Sequence, residues 1–489
     1  MKKLFALMLA LALMVTVVCA FAEGDGGDTG GGQTTPATGT NSTPSITIKT
    51  KSDDENAARD ETHYTWYRIL EADIGTDPSI NDGGYQSGGA VSYYTNSQAK
   101  ATALEGTGVF TVTQVGTTNS WLVELVNPRA TGAEIAAAIA GMDLSLFPTG
   151  TFNQEDVAGT ATSGPVDPGY YYIISTAGKN VAVQTLTAVE IVEKNTFPTI
   201  EKKVDDDDKN AQIGDEITFT LTVMIPSTAN DEIVLTDTMT AGLSYKAFES
   251  VLLNGTDVAA GTNTYSVTPA ADGAGFTLTF TPAFVASAAA AADEGTLHSK
   301  IEIECTAVLD GEAQTANPES NSLVLDYGQY YTSLPKTAEV NTYEYLFNKV
   351  DGNNGKHLAG AEFQLMLGST LLKVVKTGDN EYRVAMPDET EATETITTNG
   401  ETVRIYGLDS DINNYKLQET KAPTGGYNVL TDPVPITPGK NPAEVDIENN
   451  EGVVLPSTGG SGTTIFYVIG GLLIIGAGIV LVARRKVHE

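Results

Sequence analysis

The sequence predicts an all-β chain of consecutive β-sandwich domains, and three observations carry that expectation. Apolar and polar residues alternate through much of the chain: Ile217, Phe219, Leu221 and Val223 interleave with Thr218, Thr220 and Thr222, and Phe276, Leu278 and Phe280 with Thr277 and Thr279. That is the period of half-buried antiparallel strands. Thr, Val, Gly and Tyr are plentiful and turn signals are frequent, as short sandwich strands require. Helical stretches are scarce, and the Ala-rich pieces near Ala133 to Ala140 and Ala286 to Ala292 read as short insertions.

The two ends carry addresses. Met1 to Ala22 begins with Lys2-Lys3, continues as an apolar stretch from Leu4 to Ala20 and ends in Ala20-Phe21-Ala22, the layout of a cleaved secretory signal peptide. Cys19 follows Val18 rather than a small residue, which argues against a lipoprotein anchor. At the other end Leu455-Pro456-Ser457-Thr458-Gly459 precedes a charge-free apolar run from Ile465 to Ala483 and then Arg484-Arg485-Lys486. The run is long enough to cross the ~30 Å hydrocarbon core as one helix, with the basic cluster on the cytoplasmic side. The pentapeptide resembles LPxTG, the sorting signal of Gram-positive surface proteins. The resemblance implies that a sortase cysteine cleaves between Thr458 and Gly459, and that an amine resolves the acyl-enzyme. The mature chain is then expected to run from Glu23 to Thr458.

Removing those ends takes five of the 28 basic and one of the 62 acidic residues, leaving 23 against 61 and a net charge of about −38. Nucleic acid is a poor partner for such a surface. Only Cys305 survives, so no internal disulfide can staple the exported protein. It lies on the apolar parity of Ile301, Ile303 and Ala307 and reads as a buried small hydrophobe. Asp205 to Asp208 with Lys209 reads as a solvated loop. The four His residues show no metal-ligand spacing, and no Ser-His-Asp, P-loop or dinucleotide fingerprint is present, so neither cofactor nor metal is expected.

Residues 23–44 are Gly, Thr, Ser and Pro with little that is apolar and read as a flexible leader. Breaks at Asn195-Thr196-Phe197-Pro198 and around Pro335, within Tyr331 to Glu339, divide the remainder into domains at about 45–193, 197–330 and 340–452. The first is the least legible. Its Trp66, Tyr67, Tyr170, Tyr171 and Tyr172 read as core and edge aromatics.

In the third domain Tyr415-Lys416-Leu417-Gln418-Glu419-Thr420-Lys421-Ala422-Pro423-Thr424-Gly425-Gly426-Tyr427 resembles the E-box, YxLxETxAPxGY, with one extra Gly before the final Tyr. That motif belongs to pilin and adhesin domains related to the collagen-adhesin B repeat, which are immunoglobulin-like sandwiches. Phe347 to Asp351, Leu358 to Leu365 and Val445 to Asn449 resemble other parts of the same module. The resemblance implies an intramolecular isopeptide between Lys349 and Asn449, assisted by Glu419. Strand parity supports it independently. Lys349 aligns with Tyr345 and Phe347, Glu419 with Tyr415 and Leu417, and Asn449 with Val445 and Ile447, so all three polar groups are expected to point inward. Burial lowers a Lys pKa and raises a Glu pKa, favouring a neutral amine and a protonated acid able to polarise the Asn amide.

The second domain is similar, more loosely, to the second domain of backbone pilins, on Pro198 to Val204, Leu235 to Tyr245 and Asn317 to Leu325. There the resemblance implies a Lys–Asn bond assisted by an acid. Parity groups Ile200, Lys202 and Val204 and so favours Lys202 over Lys203, with Asp237 as the acid and Asn321 as the acceptor. Between the first two domains, Ile191-Val192-Glu193-Lys194-Asn195 resembles the pilin motif of shaft subunits, written YPKN, with Val-Glu in place of Tyr-Pro. That resemblance makes Lys194 the amine that resolves a neighbour's acyl-enzyme.

Together these features are expected of a major shaft subunit of a sortase-assembled pilus. The implied partners are a pilus-type sortase, identical subunits joined head to tail through a Thr458–Lys194 amide, minor pilins, and peptidoglycan through a housekeeping sortase after transient membrane insertion. No enzyme activity beyond self-crosslinking is expected. The competing expectation is a monomeric wall-anchored adhesin whose first domain binds host matrix or glycan, and the polymerisation amine Lys194 separates the two.

Overall fold

A computed structural model describes residues 44–49, 57–60, 62–74, 91–154, 159–452 and 461–486. The signal peptide, nearly all of the leader and the pentapeptide Leu455 to Gly459 lie outside the described residues. The fold is mostly β. The chain forms two compact units that divide between Asn341 and Thr342.

The first unit contains four sheets. One has the order Val189–Val192, Ser45–Lys49, Thr160–Pro165, Asn153–Gln154. The parallel pairing of Ser45–Lys49 with Val189–Val192 sets Ile48 beside Ile191, and both are fully buried. The strand Gly169–Ser175 lies in a second sheet between Val181–Thr185 and Tyr64–Ile74. Tyr171 and Tyr172 project to opposite sides of that strand and fill two separate cores, the alternation expected of a sheet packed on both faces. Gly132–Ala140 is helical, as its composition suggests, and a reciprocal capping box between Thr131 and Glu134 starts it. Gln98–Gly106 is also helical, which the sequence pattern does not reveal.

The other two sheets of this unit face each other as a sandwich. One runs Thr199–Val204, Glu216–Pro226, His298–Leu309, Leu243–Leu253, Thr256–Asp257. The facing sheet runs Tyr265–Pro269, Gly275–Phe280, Ile233–Met239, Glu319–Tyr327, Tyr331–Ser333 and Ala57–Asp60. Two placements differ from the sequence expectation. Tyr331–Ser333 and Lys336–Val340 are strands paired with Glu319–Tyr327, not a break between domains; Ala338 and Val340 are buried, so the segment has a core face despite Pro335. And Ala57–Asp60, inside the expected first domain, pairs with Tyr331–Ser333. Cys305 is fully buried, and burial pushes its thiol pKa up to about 12.

The second unit is a two-sheet sandwich. One sheet runs Val374–Gly378, Glu381–Val384, Val403–Leu408, Tyr343–Asp351, Val445–Asn449, and the other Thr370–Leu372, Ala359–Leu367, Tyr415–Lys421, Val434–Pro435. Phe347, Phe363, Leu365, Val403, Ile405 and Leu417 are fully buried between them. Beyond the sandwich a helix spans Ser461–Lys486 and contains the apolar run expected to cross a membrane. Among the described residues no helix is long and apolar enough to do so. Phe466, Tyr467, Leu472, Leu473, Ile474 and Ile475 on it are exposed.

Candidate crosslinking sites and the exposed lysine

In the second unit Tyr343–Asp351 pairs in parallel with Val445–Asn449, placing Lys349 beside Ile447 and Asp351 beside Asn449. Glu419 arrives from Tyr415–Lys421 in the facing sheet. Lys349, Glu419 and Asn449 are each 1% exposed, so the structure brings the three together in the core. Parity predicted this placement, with one departure: Val445 is exposed, and only Ile447 and Asn449 of that strand turn inward.

Each of the three groups makes its own buried contacts. Asn449 Nδ2 donates to both carboxylate oxygens of Glu419 at 3.0 Å and to the Asn428 carbonyl at 2.8 Å. Leu430 N–H donates to Glu419 Oε2 at 2.8 Å, fixing the carboxyl. Lys349 Nζ donates to the Ile447 carbonyl at 2.6 Å, not to Glu419. Desolvation lowers the Lys349 pKa to about 8, although the Glu419 and Glu448 charges pull it upward. About a tenth of the amine is therefore neutral at pH 7, far more than for an ordinary lysine. The Asn449 Oδ1 is buried without a hydrogen-bond partner. An orphaned buried acceptor is costly. The arrangement can support attack of the Lys349 amine on the Asn449 carboxamide carbon, with the nitrogen that must leave already held by the carboxyl group that can relay the amine's proton to it.

In the first unit Lys202, Asp237 and Asn321 converge from both sheets of the sandwich. Lys202 stands on Thr199–Val204 of one sheet, and Asp237 and Asn321 on adjacent strands of the other, where Met239 pairs with Asn321. Lys202 Nζ forms a buried ion pair with Asp237 Oδ2, both side chains fully out of solvent, and lies 5.2 Å from the centre of the Phe219 ring. Lys203 points outward and pairs with Glu201 at 3.5 Å, as the alternation of the strand requires. Desolvation raises the Asp237 pKa, opposed by Lys202 and by Asn321. Asn321 is thus near enough to favour the carboxylate, yet neither amide atom makes a well-formed hydrogen bond although the residue is fully buried. The two sites differ in what a bond would join: neighbouring parallel strands of one sheet in the second unit, and two facing sheets here.

Lys194 follows the strand Val189–Val192 and is exposed between two buried residues, Glu193 and Asn195. The sequence reading did not single out Glu193. Its signal was the parity of Ile191, Glu193 and Asn195, which turn inward together while Val192 and Lys194 turn out. Tyr427, the last E-box residue, donates its hydroxyl to Asp351 at 3.2 Å, which accommodates the extra glycine without losing the end of the motif. Gly425 and Gly426 both adopt positive φ there, 120° and 91°.

Comparisons with known proteins match the C-terminal part of the chain. Residues 344–451 match the SpaA family, a prealbumin-like fold domain, and residues 447–489 match the LPXTG cell wall anchor motif. A fimbrial subunit type 1 of Actinomyces viscosus is 36% identical over 88 residues. The alignment spans 16% of this chain and 16% of that curated relative. Among solved structures, the full-length major pilin SpaD of Corynebacterium diphtheriae covers 84% of this chain and 98% of its own at 18% identity, with a TM-score of 0.44. The T6 backbone pilin of Streptococcus pyogenes serotype M6 covers 80% of each chain at 18% identity, with a TM-score of 0.45. The chain carries an LPXTG cell wall anchor motif directly behind a prealbumin-like domain.

Proposed function

We propose that this protein is the major structural subunit of a covalent, sortase-assembled pilus anchored to the Gram-positive cell wall, and not an enzyme. The observation that carries the reading is the coincidence in one chain of the LPXTG anchor motif, the exposed Lys194 held between buried neighbours, and two buried Lys–acid–Asn sets. A pilus-type sortase cleaves after Thr458 and holds the chain as a thioester. The Lys194 amine of the next subunit attacks, releasing the enzyme thiol and forming a Thr458–Lys194 amide. That contact is heterologous and does not close on itself, so it propagates a fibre. The apolar run Ile465 to Ala483 holds the precursor in the membrane until cleavage, with Arg484, Arg485 and Lys486 inside.

Inside each subunit, Lys349 bonds to Asn449 with Glu419 assisting, and Lys202 to Asn321 with Asp237 assisting, each with loss of ammonia. The two unpartnered amide atoms of buried Asn321 and the unpartnered Oδ1 of buried Asn449 support these assignments. Minor pilins and a housekeeping sortase complete the assembly in this reading. The experiment is an immunoblot of boiled cell-wall extracts. Wild type is expected to give a high-mass ladder and Lys194→Ala only wall-attached monomer. A ladder that persists in Lys194→Ala removes Lys194 as the acceptor, and its absence from wild type favours the monomeric adhesin.

A further inference from the structure

Glu193 is a buried acid that forms no ion pair among the described residues. It is 5% exposed, and desolvation raises its pKa; only dipoles oppose this, from the Asn195 and Lys194 amides and the Ser175 and Tyr64 hydroxyls. Burying an acid this way costs several kcal/mol unless the surrounding hydrogen bonds offset it. Those bonds bracket Lys194. Glu193 N–H donates to the Lys49 carbonyl at 2.9 Å, extending the parallel ladder by one residue. Its Oε1 accepts the Asn195 N–H at 2.8 Å and its Oε2 the Ser175 hydroxyl at 3.0 Å. Asn195, 3% exposed, donates its Nδ2 to the Lys179 carbonyl at 3.0 Å, and the adjoining Gly178 carbonyl accepts from Asn230 Nδ2 at 3.2 Å. The residues on both sides of Lys194 are therefore tied to the Ser175–Val181 turn, and Lys194 alone projects outward.

We propose that Glu193 is a positioning residue for acceptor chemistry: its carboxylate locks the backbone around Lys194 so that the ε-amine is presented to the sortase acyl-enzyme in one orientation. The inference rests on the reading of Lys194 as the polymerisation amine. Amide formation requires the nitrogen to approach the thioester carbon closely and in line, and a tethered backbone removes conformations that do not. Glu193 does not touch the amine and takes no proton from it.

The test separates acceptor from donor competence in full ectodomains. Lys194→Ala chains act only as donors and Thr458→Ala chains only as acceptors, so mixing them with a pilus-type sortase gives one cross-linked dimer whose rate is read on a denaturing gel. Adding Glu193→Ala to the acceptor is expected to lower its kcat/KM about tenfold, an effective-concentration loss of the kind orientation supplies. Glu193→Gln retains an oxygen for the Asn195 N–H and a donor for Ser175 Oγ, and is expected to stay within about threefold of wild type. Glu193→Ala placed in the donor is expected to leave donor rates unchanged. An unimpaired Glu193→Ala acceptor, or equal losses as donor and acceptor, overturns the positioning role. A Lys194→Ala/Thr458→Ala chain that still accepts overturns the Lys194 reading instead.

Discussion

Glu419→Ala is expected to prevent the Lys349–Asn449 bond although Glu419 is not one of the joined residues. The substitution removes both oxygens that hold Asn449 Nδ2 and the acceptor for Leu430 N–H. No carboxyl group is then left to relay the proton of the Lys349 amine to the leaving nitrogen as the amine adds to the carboxamide carbon. The crosslink would bracket about 100 residues, so by the loop-entropy relation derived for disulfides its loss costs about 4 to 5 kcal/mol. The unmet Leu430 amide adds about 1 to 3 kcal/mol. For a domain of this size each kcal/mol moves Tm by roughly 4 to 8 °C, so the bond alone is worth about 20 °C or more. Asn449→Ala separates the terms, because it loses the bond and keeps Glu419. Intact mass is the direct assay: each bond releases one ammonia, about 17 Da, as the amide-forming mechanism requires. Tandem mass spectrometry should find a branched Lys349–Asn449 peptide in wild type and only linear peptides in the mutant. A branched peptide in full yield without Glu419 refutes the argument.

In the first unit, Asn321→Ala should retain the buried Lys202–Asp237 pair while raising the intact mass by about 17 Da beyond the substitution itself, and Lys203→Ala should leave the bond in place; an unbonded Lys203→Ala protein would mean that the outward lysine is the reactive one. The lowered pKa of Lys349, about 8 against 10.5, gives a pH signature in the unlinked Asn449→Ala variant. There the unfolded chain binds more protons than the folded one between about pH 8 and 10.5. Stability should therefore rise with pH across that window, by about 3 kcal/mol in total, and be flat on this account below pH 8. Urea titrations of Asn449→Ala and of Asn449→Ala/Lys349→Met should differ in that slope, and equal slopes would show that Lys349 is not desolvated.

How much of this was legible in the sequence follows from where parity is a sufficient guide. Lys202 and Glu419 lie on strands whose apolar neighbours alternate cleanly, and period-two alternation fixes the direction of a side chain without any tertiary information. The same reasoning misplaced Val445, because the edge strand Val445–Asn449 buries only its last residues. Asn348 and Val350 are buried on the opposite parity from Lys349, Asn348 through hydrogen bonds to Glu444, Asp446 and Thr402; a strand buried on both faces carries no alternation to read. The strand Ala57–Asp60 was illegible for another reason. Its pairing with Tyr331–Ser333 spans more than 270 residues of sequence, and no local pattern encodes a partner that distant. Glu193 was visible in the parity and was passed over because a charged residue beside a charged residue at a domain joint reads as solvated surface.

The positions of the proposed bonds also decide which parts of the chain bear tension. In the proposed fibre the load enters a subunit at Lys194 and leaves at Thr458. Residues preceding Lys194 are then off the covalent path, including every strand from Ser45–Lys49 to Val189–Val192. From Lys194 the path reaches Lys202 within the first strand of its sandwich. A Lys202–Asn321 bond carries it past residues 203–320, and a Lys349–Asn449 bond past residues 350–448. The bypassed segments hold most of the buried apolar side chains of both sandwiches, so most of each core does not have to resist extension through hydrogen bonds and packing alone. What stays extensible is the short stretch before Lys202, residues 322–348, and the peptide from Asn450 to Thr458. Within residues 322–348, Ser322 and Leu323 pair antiparallel with Thr337 and Lys336, and Asp326 and Tyr327 with Thr332 and Tyr331. Those pairings lie in series with the load, and they are where a stretched subunit should yield first.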